Sequence, residues 1–188
     1  LADKSLDMGE ALSELGFLYL GADYYNEAIL YLDKSLEYIE DERIDVLNDL
    51  AYAYEMKGDF ESAIKTVDRL LDEDPYSYDT WINLGKLHSI QENFEKAIDA
   101  FDFALTINDE DETVLKLKAH CLLLIGRVDE AINIFKDSIE KSPEDAHLYI
   151  ALAECYMHLD DYESMLQVVE EGEKINPLNP TLQAKKAI

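Results

Sequence analysis

A chain of 188 residues, 48% of them apolar, is long enough for one or two packed domains. Its 42 Asp and Glu against 16 Lys and Arg give a formal charge of −26, a field that repels phosphate backbones and anionic lipid and argues against nucleic acid or a membrane surface as partner. No apolar run approaches the ~20 residues that cross a bilayer, and no basic-then-apolar signal segment stands at the start.

Leu1 to Met8 reads as a helical lead-in. The first unit, residues 9–43, predicts a helix ending near Gly21-Ala22-Asp23, where glycine suits the left-handed cap, and a second helix carrying Ala28, Leu32 and Leu36. The second unit, 44–77, turns at Lys57-Gly58-Asp59 and closes at Asp74-Pro75. The third, 78–111, turns at Glu92-Asn93, and its polar end, Asn108 to Glu112, places acids where a helix N-terminus favours them. The fourth, 112–145, turns at Gly126, and Ser142-Pro143-Glu144 leads into the fifth, 146–179. Pro177 and Pro180 bracket Leu178-Asn179. Thr181 to Ile188 predicts a short terminal helix, with Lys185 and Lys186 marking a polar cap over 180–188.

These units repeat at an offset of 34 residues. The fourth position of each is large: Leu12, Leu47, Trp81, Leu115 and Tyr149. The eighth is small: Gly16, Ala51, Gly85, Ala119 and Ala153. The twentieth is Ala28, Ala63, Ala97, Ala131 and Met165, and the twenty-fourth is Leu32, Val67, Phe101, Phe135 and Val169. Small residues let two helices approach and large ones fill the space around them, on one face of each helix. Neither helix buries its stripe alone, so each pair stacks on the next. Three departures stand out. Lys118 occupies an apolar seventh position, where its stem snorkels. Met165 and Gly172 loosen the fifth unit. An extra residue near Glu40-Asp41-Glu42-Arg43 predicts a local change of stacking angle.

The pattern resembles the tetratricopeptide repeat (TPR) family over nearly the whole chain. The resemblance implies an all-α fold: a right-handed α-solenoid superhelix of five TPR helix-turn-helix units plus a short C-terminal helix, one solenoid over 1–188. It implies that the first helix of each unit lines a concave groove and turns its second, fifth, sixth, ninth, twelfth and thirteenth side chains toward a ligand. One half of that groove is acidic, with Glu10, Glu14, Phe17, Asp45, Asn48, Asp49, Glu55 and Asp79 beside Tyr52 and Met56. The other is apolar with scattered cations: Ile82, Asn83, Lys86, Ile90, Lys116, His120, Leu123, Leu124, His147, Ile150, Glu154, Met157 and His158. The family's carboxylate clamp for acidic chaperone tails is rejected. Of its five polar positions only Asn83 matches, with Asn48, Tyr52, Thr113 and Leu117 at the others.

Cys121 and Cys155 share the tenth position of successive units. Equivalent points on stacked helices lie about 8–10 Å apart, beyond the ~7 Å Cα reach of a disulfide, so two free buried thiols are expected. His147, Glu154 and His158 share a helical face, and His120 precedes Glu154 by one repeat. At ~1.5 Å per residue, His147 and His158 are about 16 Å apart, so only His120, Glu154 and His158 converge. The reading taken is solvated histidines lining a groove, with no metal and no cofactor. There is no Gly-rich phosphate loop, no Gly-x-Ser-x-Gly and no Cys-x-x-Cys, so no enzyme is expected.

The function expected is a non-enzymatic protein–protein interaction scaffold that binds a peptide or partner segment in the groove. Leu123, Leu124, Ile150 and Met157 would take apolar side chains, and Lys86, Lys116 and His120 an acidic group. The alternative is a structural spacer or self-association segment of a larger protein, forming a homo-oligomer. A cytoplasmic location is favoured, although a start at Leu1 is compatible with a removed leader.

Overall fold

A computed structural model describes residues 2–39 and 43–186. The insertion near Glu40 to Glu42, where a change of stacking angle is expected, lies outside the described residues, as does the side chain of Lys186. The described residues form eleven α-helices and no strand: α1 (Ala2–Gly21), α2 (Tyr25–Ser35), α3 (Arg43–Lys57), α4 (Phe60–Glu73), α5 (Tyr78–Ile90), α6 (Phe94–Ile107), α7 (Glu112–Leu124), α8 (Val128–Lys141), α9 (Ala146–His158), α10 (Tyr162–Ile175) and α11 (Pro180–Lys186). Contacts divide the chain into two compact units, Leu1–Glu92 and Asn93–Ile188. In the first, α1 packs on α2, α2 on α3, α3 on α4 and α4 on α5, and α1 also touches α3. In the second, each of α6 to α11 packs on the next.

The repeating positions explain the packing. Leu32, Val67, Phe101 and Val169 at the twenty-fourth position are fully buried, and Phe135 nearly so. Each such side chain contributes about 1.5–3 kcal/mol by leaving water. Their small counterparts are close approaches: a Cβ built on Gly16 would stand 2.7 Å from Leu32 Cγ and 3.1 Å from its backbone nitrogen. In the first unit the core joins Leu20, Ala28, Leu32 and Ile39 to Val46, Leu50 and Ala53.

The turn inside each helix pair needs one residue in the left-handed region, and it falls at the same repeat position every time: Asp23, Gly58, Glu92, Gly126 and Asp160, with φ between 55° and 81°. At the first turn the expectation of a glycine cap is corrected. Gly21 ends α1, and Asp23 takes the positive φ, which a short carboxylate tolerates.

Carboxylates or an amide start many helices. The side chains of Asp59, Asp111, Asp145 and Asp161 accept from free backbone N–H groups of α4, α7, α9 and α10. Asn179 does the same for α11, from the N–H groups of Thr181 and Leu182.

The fifth pair is not loosened by Met165 and Gly172. Met165 is 1% exposed, and Gly172 is the seat on which Tyr149 and Leu182 close, with Cβ contacts of 2.9 and 3.2 Å if it carried one. That seat places α11 in the register of a first helix. Trp81 Nε1 donates to the Pro75 carbonyl, Tyr149 Oη to that of Pro143, and Gln183 Nε2 to that of Pro177. All three span six residues from the fourth repeat position. Lys118 reaches Asp102 on α6, so its stem crosses the core edge and its charge is paired. Cys121 and Cys155 are buried and joined in no disulfide.

Candidate functional site

The outer faces of α1, α3 and α5 carry the candidate site in the first unit. Tyr52 and Met56 are about half exposed on α3, four residues apart on one face, and Ile90 is as exposed at the end of α5. Lys86 is exposed and Asn83 half-buried. Phe17 on α1 is 61% exposed, a large side chain left in water while its helix buries Leu20. A cleft of about 200 Å³ runs between α1 and α3, lined by Ser13, Glu14, Phe17, Ile39, Asp45, Val46 and Asp49. Burial and the neighbouring Asp45 together push the Asp49 carboxyl above its ordinary value.

In the second unit the expected groove residues separate into three groups. His120, Leu124, His147 and His158 are exposed, and Ile150 and Met157 half-buried, all on α7 and α9. Leu123 is corrected: at 4% exposure it belongs to the core, because its helix turns it toward the neighbouring helices while Leu124, one position on, points out. Lys116 and Glu154 are engaged inside the protein. Lys116 Nζ stands 3.2 Å from Asp145 Oδ2, and Glu154 Oε1 is 3.2 Å from Lys185 Nζ. Lys185, only 11% exposed, also lies 3.7 Å from Met157 Sδ. The helix α11 therefore stands over the end of α9, with Lys185, expected in a polar cap, turned in toward Glu154 and Met157. Carrying the 34-residue count one step further puts Lys185 at a sixth position, a groove position, which is the signal that finds it.

No three His, Cys, Asp or Glu side chains among the described residues are gathered as a metal site would need, and His120, Glu154 and His158 do not form such a group. Burial pushes the Cys155 thiol up to about 12, the behaviour of a core hydrophobe rather than a nucleophile. On the second-helix side, a cleft of about 360 Å³ is lined by residues of α8, α9 and α10, and there Lys136 Nζ lies 5.7 Å from the centroid of the Tyr156 ring. No described helix is long and apolar enough to cross a membrane.

Models described as tetratricopeptide repeat match residues 6–78 and 122–188, and a model of anaphase-promoting complex, cyclosome, subunit 3 matches 56–138. The DnaJ homolog subfamily C member 7 homolog of Dictyostelium discoideum is 27% identical over 143 residues, 68% of this chain and 26% of that protein. The chain spans about a quarter of the length of the first curated relatives it matches. Among solved structures, MamA superposes with a TM-score of 0.78 at 18% identity, covering 96% of this chain and 94% of that one. YrrB, described as a TPR protein with an unusual peptide-binding site, superposes with a TM-score of 0.79 at 19% identity, covering 94% and 91%. These identities show a shared fold alone.

Proposed function

The chain belongs to the tetratricopeptide repeat family, and from that premise we propose that it is a non-enzymatic interaction module holding a segment of a partner protein on the exposed faces of its first helices. Proteins of this family are generally interaction scaffolds. The observation that carries the reading is the set of large apolar side chains that the first helices leave in water: Phe17, Tyr52, Met56 and Ile90 in the first unit and Leu124 in the second. These helices bury their opposite faces in the cores, so the exposed residues are surplus to folding and suited to docking. The peptide-binding site named for YrrB is consistent with this use of the fold. The clamp for acidic tails finds no support, since Asn83 lacks its partner residues at the other four positions.

Affinity capture from native lysate tests the reading with two variants. One carries Tyr52→Asp and Met56→Asp, the other His120→Asp and Leu124→Asp. A partner lost with one variant or both, at unchanged circular dichroism, supports the module. Capture unchanged by both overturns it.

A further inference from the structure

We infer that the α1–α3 face of the first unit docks a cationic segment of a partner protein, one that combines Lys or Arg with an aliphatic or aromatic anchor. The inference rests on the interaction-module reading and specifies its partner chemistry. The two helices leave large apolar side chains in water. Phe17, Tyr52 and Met56 are 61, 49 and 47% exposed, and the last two lie on the same side of α3 as Asp45 and Asp49 by offsets of three, four and seven. A lone exposed apolar residue is ordinary, but Phe17 in the wall of a cleft of about 200 Å³, with two more large apolar side chains on the side of α3 that carries Asp45 and Asp49, makes a surface that water covers poorly.

The rim of that surface fixes the sign of the partner. Glu14, Asp45 and Asp49 line the cleft, and no cation among the described side chains forms an ion pair with any of them. The first unit's ion pairs among the described side chains go elsewhere, Arg43 to Glu73 and Lys65 to Glu61. Asp49 is partly withdrawn from water and Asp45 repels it, and both effects push its carboxyl above its ordinary value. A cation entering the cleft offsets the repulsion between the two carboxylates and gives the partly desolvated one a charge partner, which an acidic group cannot do. A second copy of the chain would bring another −26 of charge, so the same field opposes self-association on this face. The apolar anchor gives the contact its specificity, because the net charge alone attracts any polycation.

The test uses the full chain and three dye-labelled synthetic peptides, read by fluorescence anisotropy. One has Leu and Lys at helical spacing, one has Glu in place of Lys, and one has the same Lys with Ser in place of Leu. The Leu/Lys peptide is expected to bind about tenfold tighter than either of the others. Asp45→Lys with Asp49→Lys is expected to weaken it about tenfold, and the shape-preserving pair Asp45→Asn with Asp49→Asn about threefold. Phe17→Ala with Tyr52→Ala is expected to weaken it about fivefold. Asp137→Lys with Glu140→Lys, the same charge change at exposed sites on α8, should weaken it less than about twofold. Equal losses in the α3 and α8 variants would reduce the effect to net charge and overturn the inference. So would tight binding of the Leu/Glu peptide, or no effect of removing the two aromatic side chains. If lysate capture is lost only with the α7 variant while these peptides fail to discriminate, the module stands and this partner chemistry falls.

Discussion

Lys116 Nζ and Asp145 Oδ2 stand 3.2 Å apart, which ties α7 to the residue that caps α9. Asp145 also accepts from the His147 N–H at 3.0 Å, so one carboxylate starts α9 and anchors it to α7. Both side chains are about one-third exposed, so solvent screens the pair, and a Lys116→Met, Asp145→Asn double-mutant cycle should give a coupling of about 0.5 kcal/mol. Burial pushes the Asp145 carboxyl up, but the His147 N–H and Lys116 outweigh it and hold the group below its ordinary value of 3.8. A depressed carboxylate stabilises the fold above its unfolded value and loses that contribution as pH falls through the folded one. Urea titrations between neutral pH and pH 2 should therefore show a shallower acid loss in Asp145→Asn than in the parent. Parallel curves would show that the pair is ornamental.

Asp49 titrates in the opposite sense. Burial first, then Asp45, raise its carboxyl, so the ionised form is the disfavoured one in the folded chain. Its contribution is fully present below the ordinary value of 3.8 and is lost as pH rises through the folded value. Asp49→Asn removes the charge and keeps the shape. It should raise the urea midpoint at pH 7 and leave it unchanged near pH 3. A midpoint that moves equally at both pH values would trace the effect to packing instead.

Identical substitutions at two glycines of α1 should have opposite effects. A Cβ on Gly16 meets Leu32 side-chain atoms at 2.7 and 2.8 Å and the Leu32 nitrogen at 3.1 Å, and that backbone cannot yield without shifting α2. A Cβ on Gly21 meets nothing within 4 Å. Gly16→Ala should lose about 1–2 kcal/mol, overpacking exceeding the gain in helix propensity, while Gly21→Ala should be neutral or gain up to about 0.5 kcal/mol. Chemical denaturation of the two variants side by side decides it.

The two residue classes in the repeat differ in how far the chain itself announces them. Gly16, Ala28 and Leu32 recur at fixed offsets, and from them the helix pairing follows directly. Gly58 and Gly126 likewise declare their turns. Asp23, Glu92 and Asp160 occupy the same turn position with φ of 62°, 60° and 55°, yet Asp merely tolerates a left-handed backbone and Glu does nothing to announce one. The candidate site is legible by face and not by partner. Counting placed Tyr52, Met56 and Leu124 outward, and they are exposed, but it also placed Leu123 outward, one residue beyond where the helix face turns inward. Nor can counting see that Lys116 and Lys185 are spent on Asp145 and Glu154, since those pairs span 29 and 31 positions of sequence.

The turn position makes a prediction of its own. Glu92 has no short side chain to ease a φ of 60°, and left-handed backbone costs an L-residue about 1–2 kcal/mol. Glycine removes that strain while enlarging the unfolded ensemble, so Glu92→Gly should gain about 0.5–1 kcal/mol net. Gly126→Ala, at φ 81°, should lose about 1 kcal/mol by the same reasoning reversed. Thermal melts with the opposite ordering would remove strain as the explanation for this position.

Docking, not propensity, holds α11. Seven residues are too few for a stable isolated helix, so its order depends on Leu182, which is fully buried against Gly172, and on the Asn179 cap. Leu182→Ala removes the anchor and should release the helix locally, since the cores around Phe101 and Phe135 do not depend on it. Gly172→Ala should act from the other side, its Cβ meeting Tyr149 at 2.9 Å and displacing Leu182. In hydrogen exchange, the backbone amides of Gln183 to Lys185 should lose protection in both variants while those of α7 and α8 keep theirs. Release also frees Lys185 from Glu154 and Met157, so the Lys185 amine, 11% exposed in the parent, should become reactive to acylating reagents. Protection retained in both variants would mean that the Gln183 bond to Pro177 and the Asn179 cap suffice without the apolar seat.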